Sequence, residues 1–333
     1  MTFDAMNAVT GPYAKYLFEE VLEAPEGTVI HGTPLPDFGG LHPEPNLVYA
    51  EELVALAYSE NAPNLCAASD GDGDRYMILG KSFFVTPADS LAILAEFMEK
   101  IPFYKGRFYG AARSMPTAAP LDEVCKKLKK ECYQTPTGWK FFGSLLENQK
   151  ISLCGEESFG AGSFHVMEKD GLWAILFWLN ILALTGKTPE QIVKELWKKY
   201  GRFYTQTYNY HTDSSKDVAH LLDSLSAQIP TLPGSKVENF TVLDAHLFDY
   251  IDPVSKEKTT NQGIVITLSQ QARIFVRASG TSSSGATLKV YLSQKSDHLS
   301  AETKSLLQPL EKAAAEILKI SKYLGHKVEV SVT

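Results

Sequence analysis

Ser69-Asp70-Gly71-Asp72-Gly73-Asp74-Arg75 sets three carboxylates at i, i+2 and i+4 around two glycines. The run lies between the apolar stretches Leu65 to Ala68 and Tyr76 to Leu79. Glycines let the backbone curl, so the three side chains can converge on one point. Hard divalent cations need oxygen ligands of this kind, and Mg2+ takes a few carboxylates plus substrate phosphate. Packed between two strands without a cation, the aspartates would repel one another, which favours a metal site over a solvated acidic turn. A calcium-binding EF-hand fails, because its sixth position is Arg75 instead of Gly and its twelfth is Lys81 instead of Glu.

Three further loops carry polar chemistry. Cys154-Gly155-Glu156-Glu157-Ser158-Phe159-Gly160 follows the apolar run Ile151 to Leu153. It misses the serine-hydrolase elbow by one residue, since Gly155 stands three before Ser158. Its carboxylates and hydroxyl suit a polyol such as a sugar ring; a polar strand-to-helix turn is the competing reading, and spacing alone leaves both open. Arg277-Ala278-Ser279-Gly280-Thr281-Ser282-Ser283-Ser284-Gly285 reads as an anion nest with a bidentate donor, or as a hairpin loop. Thr135-Pro136-Thr137-Gly138-Trp139-Lys140 reads as a turn, and Arg113, Lys140 and Lys169, taken singly, as surface charges. Gly80-Lys81-Ser82 and Gly186-Lys187-Thr188 lack the upstream glycine of a P-loop, and no GxGxxG or HExxH occurs.

These loops need a scaffold to hold them. The chain has 333 residues, which suggests two or three domains. With 44% hydrophobic and 21% charged residues it is an ordinary globular mixture, not a disordered or collagenous chain. Lys plus Arg is 32 and Asp plus Glu 39, a formal charge of −7 that argues against nucleic-acid binding. The longest apolar run, Leu172 to Leu184, is shorter than the ~20 residues of a membrane span and is expected as a buried helix. No signal peptide is visible, and Cys66, Cys125, Cys132 and Cys154 form no CxxC pair, so reduced thiols in the cytoplasm are expected.

Short apolar runs alternate with amphipathic stretches over the first two-thirds, which predicts α/β units. Thr86-Pro87-Ala88-Asp89 and Thr188-Pro189-Glu190-Gln191 are capping boxes that open helices, and Gly201 closes the second. Tyr204 to Lys216 reads as an irregular boundary. Strands are expected at Phe240 to Leu243, Ile264 to Leu268, Arg273 to Arg277 and Thr287 to Leu292, then a helix from Leu299 to Tyr323 interrupted at Pro309. The tail is therefore a smaller α+β domain.

Together these loops resemble the phosphoglucomutase branch of the α-D-phosphohexomutase superfamily. The likeness runs over essentially the whole chain. Besides the loops above it includes Phe38-Gly39-Gly40-Leu41-His42-Pro43-Glu44-Pro45-Asn46, Arg113-Ser114-Met115-Pro116-Thr117 and Glu168-Lys169-Asp170-Gly171. The resemblance implies related mixed-sheet α/β domains, the superfamily's second and third, followed by the α+β domain, with boundaries at 1–95, 96–200 and 201–333. By matching position, Asp70, Asp72 and Asp74 would hold Mg2+. Glu156 and Ser158 would bind sugar hydroxyls, Thr137 and Gly138 would line the pocket, and Lys169 and Arg75 would support its anions. Arg277, Ser279, Gly280 and Thr281 would grip the non-reacting phosphate, with Lys289 where the muscle-type pattern has Arg. In that family a phosphoserine exchanges phosphoryl groups with a hexose phosphate through glucose 1,6-bisphosphate.

The family's serine lies in a Thr-Ala-Ser-His-Asn-Pro motif, and this chain has no Ser-His dipeptide. Asp4-Ala5-Met6 aligns well inside the family's second domain, so a first domain is expected to be missing. The expectation is a chain inactive by itself as a mutase, whose partners are small hexose phosphates rather than nucleic acid or membrane. A non-catalytic scaffold is the alternative, opposed by retention of all three aspartates.

Overall fold

The computed structural model describes residues 1–282, 285–325 and 329–332, with side chains except at 280–282 and 329–332. Two compact units divide the chain at Tyr200/Gly201. The first unit holds two mixed α/β sheets and the second an α+β sheet, the fold class expected from the sequence.

In the first sheet, β1 (Thr2–Asp4) lies between β2 (Val29–Ile30) and β3 (Cys66–Ser69), parallel to both. Strands β4 (Tyr76–Gly80) and β5 (Phe83–Val85) follow antiparallel. Every residue of β3 and β4 is buried, which is why they read as unbroken apolar runs. Met6, Leu53, Cys66, Met77 and Leu79 form the core on one side. The aspartate loop is thus the β3–β4 hairpin connection, held at both ends by buried strands.

In the second sheet, β6 (Gly110–Ser114) lies between β7 (Glu131–Thr135) and β8 (Leu153–Gly155), parallel to both, and β9 (Ala161–Ser163) is antiparallel to β8. Parallel strands need crossovers. The helices α4 (Pro120–Leu128) and α5 (Trp139–Glu147) supply them. As a result the Ser114, Thr135 and Gly155 ends point the same way. Open α/β sheets bind ligands outside such carboxyl ends.

Both predicted threonine N-caps form, and the reciprocal bond of a capping box is seen at the second. Thr86 Oγ1 accepts from Asp89 N (3.1 Å) and opens α3 (Pro87–Phe97). Thr188 Oγ1 accepts from Gln191 N (3.3 Å) while Gln191 Oε1 accepts from Thr188 N (3.0 Å), opening α7 (Pro189–Tyr200). The apolar run forms α6 (Gly171–Thr185), with Trp173, Phe177, Trp178 and Ile181 buried. Among the described residues no single helix is long and apolar enough to cross a membrane.

Helices α3 and α7 are clamped through Glu96, which accepts from Lys199 Nζ (2.8 Å), Lys100 Nζ (3.1 Å) and Tyr200 Oη (2.5 Å). Burial alone would raise the Glu96 carboxyl, but these donors hold it below its ordinary value. A depressed carboxylate contributes stability that is present above its unfolded value and is lost as pH falls through the folded one. Glu96→Gln should therefore cost about 1–2 kcal/mol at pH 7 and flatten the acid limb of a denaturation series from pH 7 to 3. An unchanged acid limb would contradict the clamp.

The second unit departs from expectation twice. Residues 204–216 were expected to be irregular. Instead β10 (Arg202–Thr212) is an eleven-residue strand, antiparallel to β17 (Gly285–Ser296) along its whole length. Its Tyr and Thr residues favour strands, and the ladder supplies partners that a polar sequence does not advertise. Helix α9 (Thr303–Leu318) also runs through Pro309 without interruption. Buried Leu307, Leu310, Ala313, Ala314 and Ile317 hold it against the lost hydrogen bond. The break comes at Lys319, in the left-handed region (φ 50°). β15 (Ile264–Leu268) and β16 (Ala272–Ser282) complete the middle of the sheet.

Candidate functional site

In the aspartate loop, one carboxylate oxygen from each of Asp70, Asp72 and Asp74 lies within 4.8 Å of the others. Gly73 takes φ +82°, which a Cβ would strain, and this turn curls the loop. Ser69 Oγ donates to Arg75 O (2.9 Å), and Gly71 N donates to Pro43 O (3.1 Å). Asp70 Oδ1 accepts from Arg75 N (3.0 Å). The Arg75 guanidinium is shared among Asp70 (3.6 Å), Asp74 (3.6 Å) and Glu44 (3.8 Å). Burial lifts the Asp70 carboxyl to about 7; the Arg75 N–H opposes this, while Asp74 and Asp72 add to it. Three carboxylates gathered together, Asp70 among them buried, with Asp74 Oδ1 also buried and lacking a hydrogen-bond partner, fit a hard divalent cation.

The glutamate loop leaves the carboxyl end of β8 and is tied directly to the aspartate loop. Tyr76 N donates to Phe159 O (3.0 Å), and Arg75 forms an antiparallel bridge with Gly160. Phe159 itself takes φ +70°, a left-handed conformation that costs a non-glycine residue about 1 kcal/mol or more. Lys169 Nζ joins the loops, pairing with Asp74 Oδ2 and lying 3.9 Å from Glu156 Oε2. Burial and the neighbouring Glu157 raise the Glu156 carboxyl, against Lys169, the Gly138 N–H and Arg75. Its Oε1 is buried with no hydrogen-bond partner. The Gly138 contact brings in the turn after β7, and Trp139 Nε1 donates to Met167 O (3.2 Å) beside Lys169. Thr137 is exposed and Ser158 half-buried on these same turns.

Helix α6 starts against this junction. Gly171 N donates to Gly73 O (2.9 Å), and a Cβ at Gly171 would collide with the Arg75 carbonyl and come within 2.9 Å of Ser69 Oγ. Gly171→Ala should cost about 2–4 kcal/mol and weaken divalent binding by displacing the loop. A thermal melt and a Mg2+ titration check this; a variant as stable as the parent would mean the contact yields.

The structure thus brings Asp70, Asp72, Asp74, Arg75, Gly138, Glu156 and Lys169 together in the first unit. In the second unit, Arg277 Nε donates to Tyr291 Oη (3.2 Å), and Arg277 and Ser279 pair across the ladder with Lys289 and Thr287. The stretch expected as a loop is mostly strand, since β16 runs to Ser282. The side chain at Thr281, and the detail at Gly280, lie outside the described residues, as do Ser283 and Ser284. Sequence reading missed Arg113. Far from being a surface charge, it is 1% exposed, its charge bound to Asp122 (2.6 and 2.7 Å). Sequence reading named Ser114, Thr117 and Glu157 only within their motifs and did not foresee that they meet beside Arg113. The available signal was their place at the carboxyl ends of parallel strands.

Residues 1–82 and 86–200 match the α/β/α domains II and III of phosphoglucomutase/phosphomannomutase, and residues 202–328 match the phosphoglucomutase-1 C-terminal domain. The chain belongs to the α-D-phosphohexomutase superfamily. Within it, phosphoglucomutase 1 of Drosophila melanogaster is 44% identical over 342 residues, covering 100% of this chain and 61% of that protein. The phosphoglucomutase of Rhizobium radiobacter is 46% identical over 333 residues, covering 99% and 61%. The open form of pp63/parafusin, a phosphoglucomutase from Paramecium, superposes with a TM-score of 0.92 at 41% identity, covering 100% of this chain and 60% of that one. The chain therefore spans about three-fifths of the length of these phosphohexomutases.

Proposed function

We propose that this chain is the cation- and sugar-binding part of a phosphoglucomutase, interconverting glucose 1-phosphate and glucose 6-phosphate through glucose 1,6-bisphosphate. The observation that carries this is Lys169, set between Asp74 of the aspartate loop and Glu156 of the glutamate loop. One ammonium thereby serves a metal loop and a sugar loop at once. Bound Mg2+ would be held by Asp70, Asp72 and Asp74, and would supply positive charge to a phosphoryl group in transfer. Lys169 and Arg75 offset the substrate's anionic charge. Glu156 and Ser158 accept from and donate to sugar hydroxyls, and Thr137 and Gly138 line the same pocket. In this reading Arg277, Ser279, Gly280 and Thr281 hold the non-reacting phosphate, and the three domains are 1–95, 96–200 and 201–333.

Phosphoryl transfer in this scheme also needs a phosphoserine in a Ser-His motif, which these 333 residues do not contain. The stretch by itself is expected to bind without turnover. Its four free cysteines suit the cytoplasm. Titration calorimetry tests the reading. Glucose 1,6-bisphosphate should bind in Mg2+ and bind at least about tenfold more weakly in EDTA. Absence of binding in both conditions would contradict it and favour a scaffold.

A further inference from the structure

The glutamate loop rests on a buried polar relay that none of the proposed ligand contacts uses. Arg113, at the end of β6, is nearly inaccessible. Its Nε and Nη2 donate to the two oxygens of Asp122 (2.6 and 2.7 Å) at the start of α4. Its Nη1 turns the other way and donates to Thr117 O (2.8 Å), with Ser114 O at 3.5 Å. The planar fork thus grips a carboxylate on one side and a turn on the other, a division a lysine cannot reproduce. Asp122 is further satisfied by Gln134 Nε2 (3.2 Å) and the Cys132 thiol (3.4 Å).

The turn so fixed presents two hydroxyls. Ser114 Oγ and Thr117 Oγ1 lie 2.8 Å apart. Ser114 Oγ donates to Glu157 Oε2 (3.0 Å), and Thr117 Oγ1 is 3.5 Å from the same oxygen. Glu157 stands between Glu156 and Ser158. Anchoring its carboxylate to the Ser114 hydroxyl ties down the backbone between these two residues, in a loop where Phe159 already holds a strained φ.

We infer that Arg113 and Asp122 are positioning residues for the sugar loop, acting through the Ser114 and Thr117 hydroxyls on Glu157. This rests on the reading of Glu156 and Ser158 as sugar contacts. A buried arginine–carboxylate pair is weak evidence for stability in itself, since apolar replacements of similar volume are often as stable. What an apolar pair would not supply is a defined orientation for two hydroxyls.

Arg113→Lys probes the fork, but breaking a buried pair endangers folding. The double variant Ser114→Ala/Thr117→Val leaves Arg113 and Asp122 paired and removes only the hydroxyls. Its affinity for glucose 1,6-bisphosphate should fall about tenfold while Mg2+ affinity stays within about twofold. Amide hydrogen exchange should accelerate about tenfold at 155–160 and not at 70–75. Thr117→Ser, which keeps its hydroxyl, should stay near the parent in all three measurements. Unchanged exchange at 155–160, or equal acceleration of both segments, would overturn the inference, the second showing a merely structural role. A parent chain that binds no bisphosphate would instead count against the proposed function, and the exchange contrast between the two segments would still decide the relay.

Discussion

Asp70→Asn should be more stable than the parent chain in EDTA and less stable in excess Mg2+. Asp70 is buried, and burial with two neighbouring carboxylates lifts it from an ordinary 3.8 to about 7. Its protonated form is thus favoured by folding. The stability this gives is present below about pH 4 and is lost as pH rises towards 7. Asparagine keeps the oxygen that accepts from Arg75 N and removes the charge. In EDTA at pH 8 the gain should be about 1–3 kcal/mol, and near pH 3 the two proteins should coincide. In Mg2+ the order reverses. A cation bound only by the folded chain contributes about 2.7 kcal/mol at 100 times its Kd, and the variant forfeits this with its ligand. Thermal melts with EDTA or Mg2+ at both pH values read the crossing. A variant less stable than the parent in EDTA at pH 8 would mean that the three carboxylates are not mutually repulsive as placed.

Lys169→Met should have the largest effect on ligand binding. Its ammonium pairs with both Asp74 and Glu156, and its side chain is only 16% exposed. Methionine fills similar space, so the loss is chiefly of charge. Glucose 1,6-bisphosphate affinity should drop by about 100-fold or more, equivalent to about 2.8 kcal/mol. Divalent affinity should not fall, because removing a competing cation frees Asp74. Calorimetry with each ligand separates the two. A parallel loss of both would show that Lys169 holds the loops together rather than serving the anion.

What could be read from the sequence was what is encoded locally. The curled aspartate loop, the two threonine N-caps and α6 each depend on residues within a few positions of one another, and each forms as expected. Pro309 was over-read, because a proline's local penalty is outweighed by the burial of the apolar face of α9, which depends on distant packing. β10 was missed for the related reason that its stability comes from a partner strand about eighty residues away, Thr207 facing Tyr291 at its middle. Arg113 is the sharpest case. Its type suggested the surface, and only the crossover through α4 brings Asp122 to it. The site divides in the same way. The convergence of the three aspartates was legible from spacing, whereas the union of their loop with the glutamate loop through Arg75–Gly160 and Lys169 is a property of two sheets packed in one unit.

The most direct test is anomalous diffraction from crystals of this chain soaked in Mn2+. One peak should appear at about 2.1 Å from an oxygen of each of Asp70, Asp72 and Asp74. Ordered crystals with no peak in that loop, or with Mn2+ bound only elsewhere, would contradict the assignment of a metal centre beside the sugar loop.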